Sequence, residues 1–153
     1  MPNGFYGRAT FGSAVSAIND AGVMVGSYTP SGKIGANEGY LDTAGQFTAL
    51  AGPAPRNFPT DDIEANGISN TGIIAGYSST ARGVAHGWLL SGQQQYTLIN
   101  DPLANNHPNP NFGAGTSPTG INEHGVVVGW YWGQRPRRTR IHGFHRPRLS
   151  VSR

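Results

Sequence analysis

Four groups of residues in this chain have the types and spacing to do chemistry. Asp61, Asp62 and Glu64 crowd three carboxylates together, enough for the acid and base pair that hydrolyses a glycosidic bond. His142 and His145 stand three apart, with His86 upstream, and imidazoles are transition-metal ligands. The stretch GINEHGVVVGWY, from Gly120 to Tyr131, has the glycine content of a loop that could cradle phosphate. Arg135, Arg137, Arg138 and Arg140 form a basic run able to neutralise an anionic partner.

Each group also has a plainer reading. A phosphate-binding glycine loop runs from a strand into a helix N-terminus, whereas a second apolar strand follows Gly125 here. A metal needs three or four convergent ligands. The position of His86 and His142 is Asn3 and Glu38 in other parts of the chain, a series better explained by one hydrogen-bonded polar side chain per unit. No metal and no cofactor are expected. The chain has no cysteine, and Gly115–Gly120 does not have the spacing of a serine nucleophile elbow, so covalent catalysis has no evident nucleophile. The carboxylates read as a solvated acidic loop, and the arginines as a solvated hairpin tip with an anionic partner as the alternative. Nucleic acid is not the expected partner: seven of eleven basic residues lie from Arg135 onward, and residues 1–134 carry a net charge of −4.

The elements that must position these groups are strands. Of 153 residues, 23 are glycine and 11 proline, a composition that favours many short strands and turns. The phrase from Gly120 has two near-copies, AINDAGVMVGSY from Ala17 and GISNTGIIAGYS from Gly67. Ile18, Ile68 and Ile121 fall in register, followed by Gly22, Gly72 and Gly125 and then Gly26, Gly76 and Gly129. A self-similarity of about 20–50 residues points to a propeller, solenoid or related array. In each copy the isoleucine ends a strand, Asn, Asp or Ser side chains cap a turn, the first glycine takes the left-handed position, and an antiparallel strand returns. The second glycine marks a bulge or a close backbone approach. The returning strands Val23–Val25, Ile73–Ala75 and Val126–Val128 are unbroken apolar runs, so both of their faces are expected to be covered. A second phrase, polar, glycine, aromatic, recurs at Glu38-Gly39-Tyr40, His86-Gly87-Trp88 and His142-Gly143-Phe144, with Asn3-Gly4-Phe5 as an earlier copy. Long loops are expected over 51–66 and 100–120, where insertions would build a binding face.

On these two phrases the chain resembles the bacterial extracellular HAF repeats, whose units combine an H-[AG]-F segment with G-I-N-x-x-G-x-[IV]-V-G. Gly120–Gly129 and His142-Gly143-Phe144 carry the likeness most fully. The resemblance implies a propeller-like protein, extracellular or at the cell surface, and implies no shared catalytic residues. The first unit is short, residues 1–4 do not open a signal peptide, and His145–Leu149 stands where a turn and strand would follow. The chain is therefore expected to be a truncated stretch of a longer array.

The expected fold is all-β: a single β-repeat domain of antiparallel four-stranded repeats, β-propeller-like, either a partial array or one completed by oligomerisation. Its units run over 3–37, 38–85 and 86–141, with an incomplete unit at 142–153. The alternative is a β-trefoil or other three-fold closed barrel. Three units leave sheet edges open, so self-association is expected, and no apolar run reaches the roughly 18 residues of a membrane-spanning helix. The expected function is a non-catalytic module binding a glycan or a protein, with Phe58, Phe112, His107 and Trp132 as contact residues and Arg135, Arg137, Arg138 and Arg140 for an anionic partner. The alternatives are a glycan-active enzyme using Asp61, Asp62 and Glu64, or a fragment with no function of its own.

Overall fold

The chain is all-β. The computed structural model describes residues 12–30, 36–53, 60–80, 83–92, 95–108, 113–133 and 138–141, with backbone alone for 60, 61 and 138–141, and no helix occurs among them. A first antiparallel sheet is a simple meander of β1 (Ser13–Ile18), β2 (Met24–Tyr28), β3 (Glu38–Thr43) and β4 (Gln46–Ala49). A second meander follows in β5 (Thr60–Ile68), β6 (Ile74–Thr80), β7 (Val84–Leu90) and β8 (Tyr96–Leu98). A third comprises β9 (Ala114–Ile121), β10 (Val127–Trp132) and β11 (Arg138–Ile141). We call these meanders units 1, 2 and 3. Units 2 and 3 merge into one strongly curled mixed sheet, a half-barrel. The join is short: β7 pairs parallel with β9 only at Val84↔Ala114 and Ala85↔Gly115, while its other half pairs with β8.

The three copies of the glycine phrase fold alike. Gly22, Gly72 and Gly125 have φ of 76°, 80° and 75°, the left-handed region in which glycine has no Cβ to clash. The residue before each turn holds it closed. Asn19 Oδ1 accepts from Ala21 and Val23 N–H, Ser69 Oγ from Ile73 N–H, and Asn122 Oδ1 from His124 and Val126 N–H. Opposite the second glycine, the preceding strand bulges in every unit. Gly26 pairs with Val15 and Val25 with Ala17; Gly76 pairs with Ala65 and Ala75 with Gly67; Gly129 pairs with Pro118 and Val128 with Gly120. Ser16, Asn66 and Thr119 are thus the extra residues. The glycine is needed because the backbone of the bulged strand lies against it, an added Cβ overlapping the carbonyl oxygens of Ala14, Glu64 and Ser117, and in units 1 and 2 an aromatic from the third strand also lies across it. Tyr40 crosses Gly26 to donate to the Ala14 carbonyl at 3.2 Å, and the Trp88 ring covers Gly76, where a Cβ would lie 2.6 Å from it.

In unit 3 the register departs from the sequence alignment. Ile141 pairs with Gly129, the place that Tyr40 and Trp88 take in units 1 and 2, and not Phe144. The loop after β10 is short enough for the strand to return three residues earlier than the repeated phrase suggests.

Two apolar clusters lie on opposite faces of the middle unit. Ile63, Ala65, Ile68, Ile74, Trp88 and Leu90 pack with Val25 and Leu50 of unit 1. Ala75 and Leu89 pack with Val127 of unit 3, and Ile73, Ile99 and Ile121 lie against them. Neighbours such as Ile74 and Ala75 therefore point to different clusters, as alternation along a strand requires. Each unit has a forward face, toward the next unit, and a backward face, toward the one before. Full coverage of the apolar runs holds only for the middle unit. In unit 3, Val126 and Val128 are 36% and 49% exposed, because among the described residues no further unit packs on them.

Equivalent residues of successive units touch each other. Asn19 Nδ2 donates to the Ser69 carbonyl, and Asp20 and Asn70 exchange two bonds, Asn70 Nδ2 to Asp20 Oδ2 at 2.6 Å and Asp20 N–H to Asn70 Oδ1 at 3.0 Å. Between units 2 and 3 the bulge residue Asn66 donates to the Pro118 carbonyl at 2.8 Å. Gly67 faces Gly120 so closely that a Cβ would lie 2.9 Å from its Cα.

Candidate functional site

The acidic cluster is not a loop. Asp62 and Glu64 stand on β5, which begins at Thr60 and takes up the end of the expected 51–66 loop; β9 similarly takes up the end of the 100–120 loop. Both carboxylates are half-buried and bound to one residue of unit 1. Asn37 N–H donates to Asp62 Oδ1 at 2.9 Å, and Asn37 Nδ2 to Glu64 Oε1 at 3.1 Å. The rest of Asn37 is also engaged, its carbonyl by Ile63 N–H and its Oδ1 by the Thr29 hydroxyl. Burial raises the Asp62 carboxyl above the ordinary carboxylate range, the Asn37 bond opposes this, and the Glu64 charge adds to it. Tyr77 is held protonated well beyond the ordinary phenol range, first by burial, then by the charges of Glu64 and Asp62 and its bond to Glu64. These groups clamp unit 1 to unit 2. The side chain of Asp61 lies outside the described residues.

The polar members of the second phrase are hydrogen-bonded. Glu38 Oε2 accepts from the Tyr28 hydroxyl at 2.6 Å, and Asn100 Nδ2 lies 3.4 Å from His86 Nδ1. Burial, then the bond to Glu38 and its charge, push the Tyr28 hydroxyl up to about 12. Asn3, His142 and His145 lie outside the described residues. Among the described residues no group of three or more His, Asp or Glu side chains is placed to hold a metal ion.

Two of the expected contact residues, His107 and Trp132, are each bonded through the backbone to Asn105 at one corner of unit 3. Asp101 N–H donates to the buried Thr116 hydroxyl at 2.9 Å, which ties the loop after β8 to β9. Asn105 then bridges two strands: its N–H donates to the Trp132 carbonyl at 2.6 Å, and its carbonyl accepts from Gly115 N–H at 2.7 Å. Its side-chain oxygen accepts from His107 N–H at 3.1 Å, leaving the His107 side chain exposed. Gly113 passes close against the half-buried Trp132 indole, where a Cβ would lie 2.6 Å from Nε1. In the β10–β11 ladder Trp132 pairs with Arg138 and Trp130 with Arg140. Phe58, Phe112, Arg135 and Arg137, and the side chains of Arg138 and Arg140, lie outside the described residues. The chain matches no protein-family model, no curated protein and no solved structure.

One feature was not legible in the sequence. An apolar groove of about 250 Å³ opens between units 1 and 2, lined by Leu41, Leu50, Ile74, Leu90 and Tyr96 among others. Tyr96 closes one side, edge-on to Trp88 with ring centroids 5.4 Å apart, and its hydroxyl accepts from Gly52 N–H at 3.1 Å. Its lining comes from five strands, β3, β4, β6, β7 and β8, and the turns between them, and only the packing of two sheets assembles it.

Proposed function

We propose that the chain is a non-catalytic β-repeat module, propeller-like and akin to the extracellular HAF repeats, that binds a glycan or a protein at the cell surface. The observation that carries this is the corner where Asn105 joins β9, β10 and the His107 loop. Through Asn105 it ties the turn that carries the exposed His107 to the strand of Trp132, which pairs in turn with the strand of Arg138 and Arg140. An aromatic face with hydrogen-bonding neighbours suits a sugar or a peptide side chain. Asp62 and Glu64, two of the three carboxylates that would serve a glycan-active enzyme, are instead engaged by Asn37 and Tyr77 in the clamp between units. The two clusters on opposite faces of the middle unit favour the propeller-like reading over a trefoil, whose units line one shared interior.

The test is a glycan array of neutral and acidic sugars, read for both retention and turnover. Retention is expected without hydrolysis, weakened about tenfold or more, equivalent to about 1.4 kcal/mol, by Trp132→Ala and by His107→Ala. Because His107 is exposed, its replacement separates lost contact from lost fold. Turnover abolished by Asp62→Asn would instead establish the enzyme reading. Retention unchanged in both the Trp132 and His107 variants, and in a joint Phe58/Phe112 variant, would remove the site.

A further inference from the structure

Among the described residues six large apolar side chains are exposed, and besides Leu98 and Leu103 they are Val15, Ile18, Val126 and Val128, which the repeat places at the outer faces of units 1 and 3. At the forward face, Val25 of unit 1 and Ala75 of unit 2 are each 0% exposed, yet their counterpart in unit 3, Val128, is 49% exposed. Val23 and Ile73 are likewise packed against the clusters between units, while their counterpart Val126 is 36% exposed. At the backward face the series reverses. Ile68 of unit 2 is 7% exposed and Ile121 of unit 3 packs against the cluster that Ala75 and Leu89 of unit 2 form with Val127, yet Ile18 of unit 1 is 62% exposed. Ala65 is 0% exposed, and its counterpart Val15 is 59% exposed. Among the described residues, equivalent apolar positions are thus buried where a neighbouring unit packs on them and bare on the backward face of unit 1 and the forward face of unit 3.

The backbone shows the same pattern. Three residues before the cross-strand partner of the second glycine, unit 1 has Asn37, whose carbonyl accepts from Ile63 N–H of β5. Unit 2 has Ala85 there, paired with Gly115 of β9. Unit 3 has Arg138 there, and the counterpart of Ile63 at the other end of the chain is Ser13.

We propose that the forward face of unit 3 docks on the backward face of unit 1 in a second copy of this chain, repeating the packing that joins units 1 to 2 and 2 to 3. Val126 and Val128 of one copy meet Val15 and Ile18 of the next, with Arg138 alongside Ser13. The occupant is a second copy because the interface it would form already occurs twice within the chain, built from counterpart residues. The two faces differ, so the association is head-to-tail, closing into a ring or growing as a filament according to the rotation per copy. This inference is independent of what the Trp132 corner binds.

Light scattering over a concentration series of the full chain tests it, with Val128→Asp and Ile18→Asp as separate variants. Wild type is expected to associate. Each variant alone is expected to be monomeric, or weakened about a hundredfold or more, because an unpaired carboxylate would be buried. Mixing the two variants is the decisive arm. The Val128→Asp chain keeps an intact backward face and the Ile18→Asp chain an intact forward face, so the mixture should form a 1:1 dimer and stop there. Both positions are exposed in the single chain, and an unchanged cooperative unfolding transition would verify the fold. Val128→Thr, a milder change, should weaken association by a smaller factor. A wild type monomeric at every concentration, a Val128→Asp chain that associates like wild type, or a mixture that stays monomeric would each overturn the proposal.

Discussion

Gly76→Ala isolates the physical reason for the second glycine. Two terms favour the substitution: about 0.4–1 kcal/mol from a less flexible unfolded chain and up to about 0.8 kcal/mol from one more buried methyl carbon. Against them, the new Cβ would overlap the Glu64 carbonyl oxygen and lie 2.6 Å from two atoms of the Trp88 ring. Carbon atoms sit best at about 3.5–4.0 Å, so the ring must retreat by about 1 Å. Trp88 is 0% exposed and held edge-on by Tyr96, and it has nowhere to go. Overpacking of this kind costs about 1–3 kcal/mol for the side chain alone, and the clash with the β5 backbone adds to it. A net loss of about 2 kcal/mol is expected. Gly72→Ala is the control: its φ of 80° strains an alanine, but nothing lies within 4 Å of the added carbon, so the loss should be about 1 kcal/mol or less. Urea unfolding of both variants, and of Gly76→Ala combined with Trp88→Phe, measures the difference. Phenylalanine lacks the outer ring atoms that meet the new Cβ, so the double variant should lose less than the two single losses added together. Equal losses for Gly76→Ala and Gly72→Ala, or strict additivity in the double variant, would refute the account of Trp88 lying across Gly76.

Two pH dependences follow from the clamp between units and its neighbours. The raised Asp62 carboxyl binds a proton more readily folded than unfolded, so its ionised form is a burden at neutral pH that fades as pH falls through its raised value toward 3.8; Asp62→Asn, which keeps an acceptor for Asn37, should therefore match or exceed wild-type stability at pH 7 and lose that advantage in acid, as followed by urea midpoints across pH. The Tyr28 hydroxyl titrates near about 12 in the fold against 10.0 for an ordinary phenol, so its contribution is complete below about pH 10 and is lost as pH rises through about 12; Tyr28→Phe should flatten that alkaline limb in a denaturation series.

Local chemistry was legible in the sequence and the meeting of units was not. The turns at Asn19, Ser69 and Asn122 follow from a side-chain acceptor placed three residues before a glycine, and the bulges from a second glycine in an otherwise β-branched strand. Each is decided by residues near in sequence. By contrast, the same apolar triplet is covered on both faces in Ile73–Ala75 and bare on one in Val126–Val128, because coverage depends on whether another unit packs against it. Asp62 and Glu64 looked like a solvated loop since nothing in their own stretch shows Asn37, which is 25 residues away from Asp62. The same distance problem hid the groove between units 1 and 2. Of the corner in unit 3, His107 and Trp132 could be singled out by type, but Asn105, to which both are bonded, carried no signal beyond an ordinary loop asparagine.

The paired bonds between Asp20 and Asn70 bear on how such a chain can grow by duplication. These two residues are counterparts, so an error-free copy of the first unit would set aspartate against aspartate at 2.6 Å, two like charges with no donor between them. An error-free copy of the second would set amide against amide, which bonds without charge. Tandem units here cannot all be identical with an acid at this position. A newly duplicated unit that carries the aspartate would therefore become a good neighbour only after one of the two had changed, whereas one that carries the asparagine would fit its copy at once.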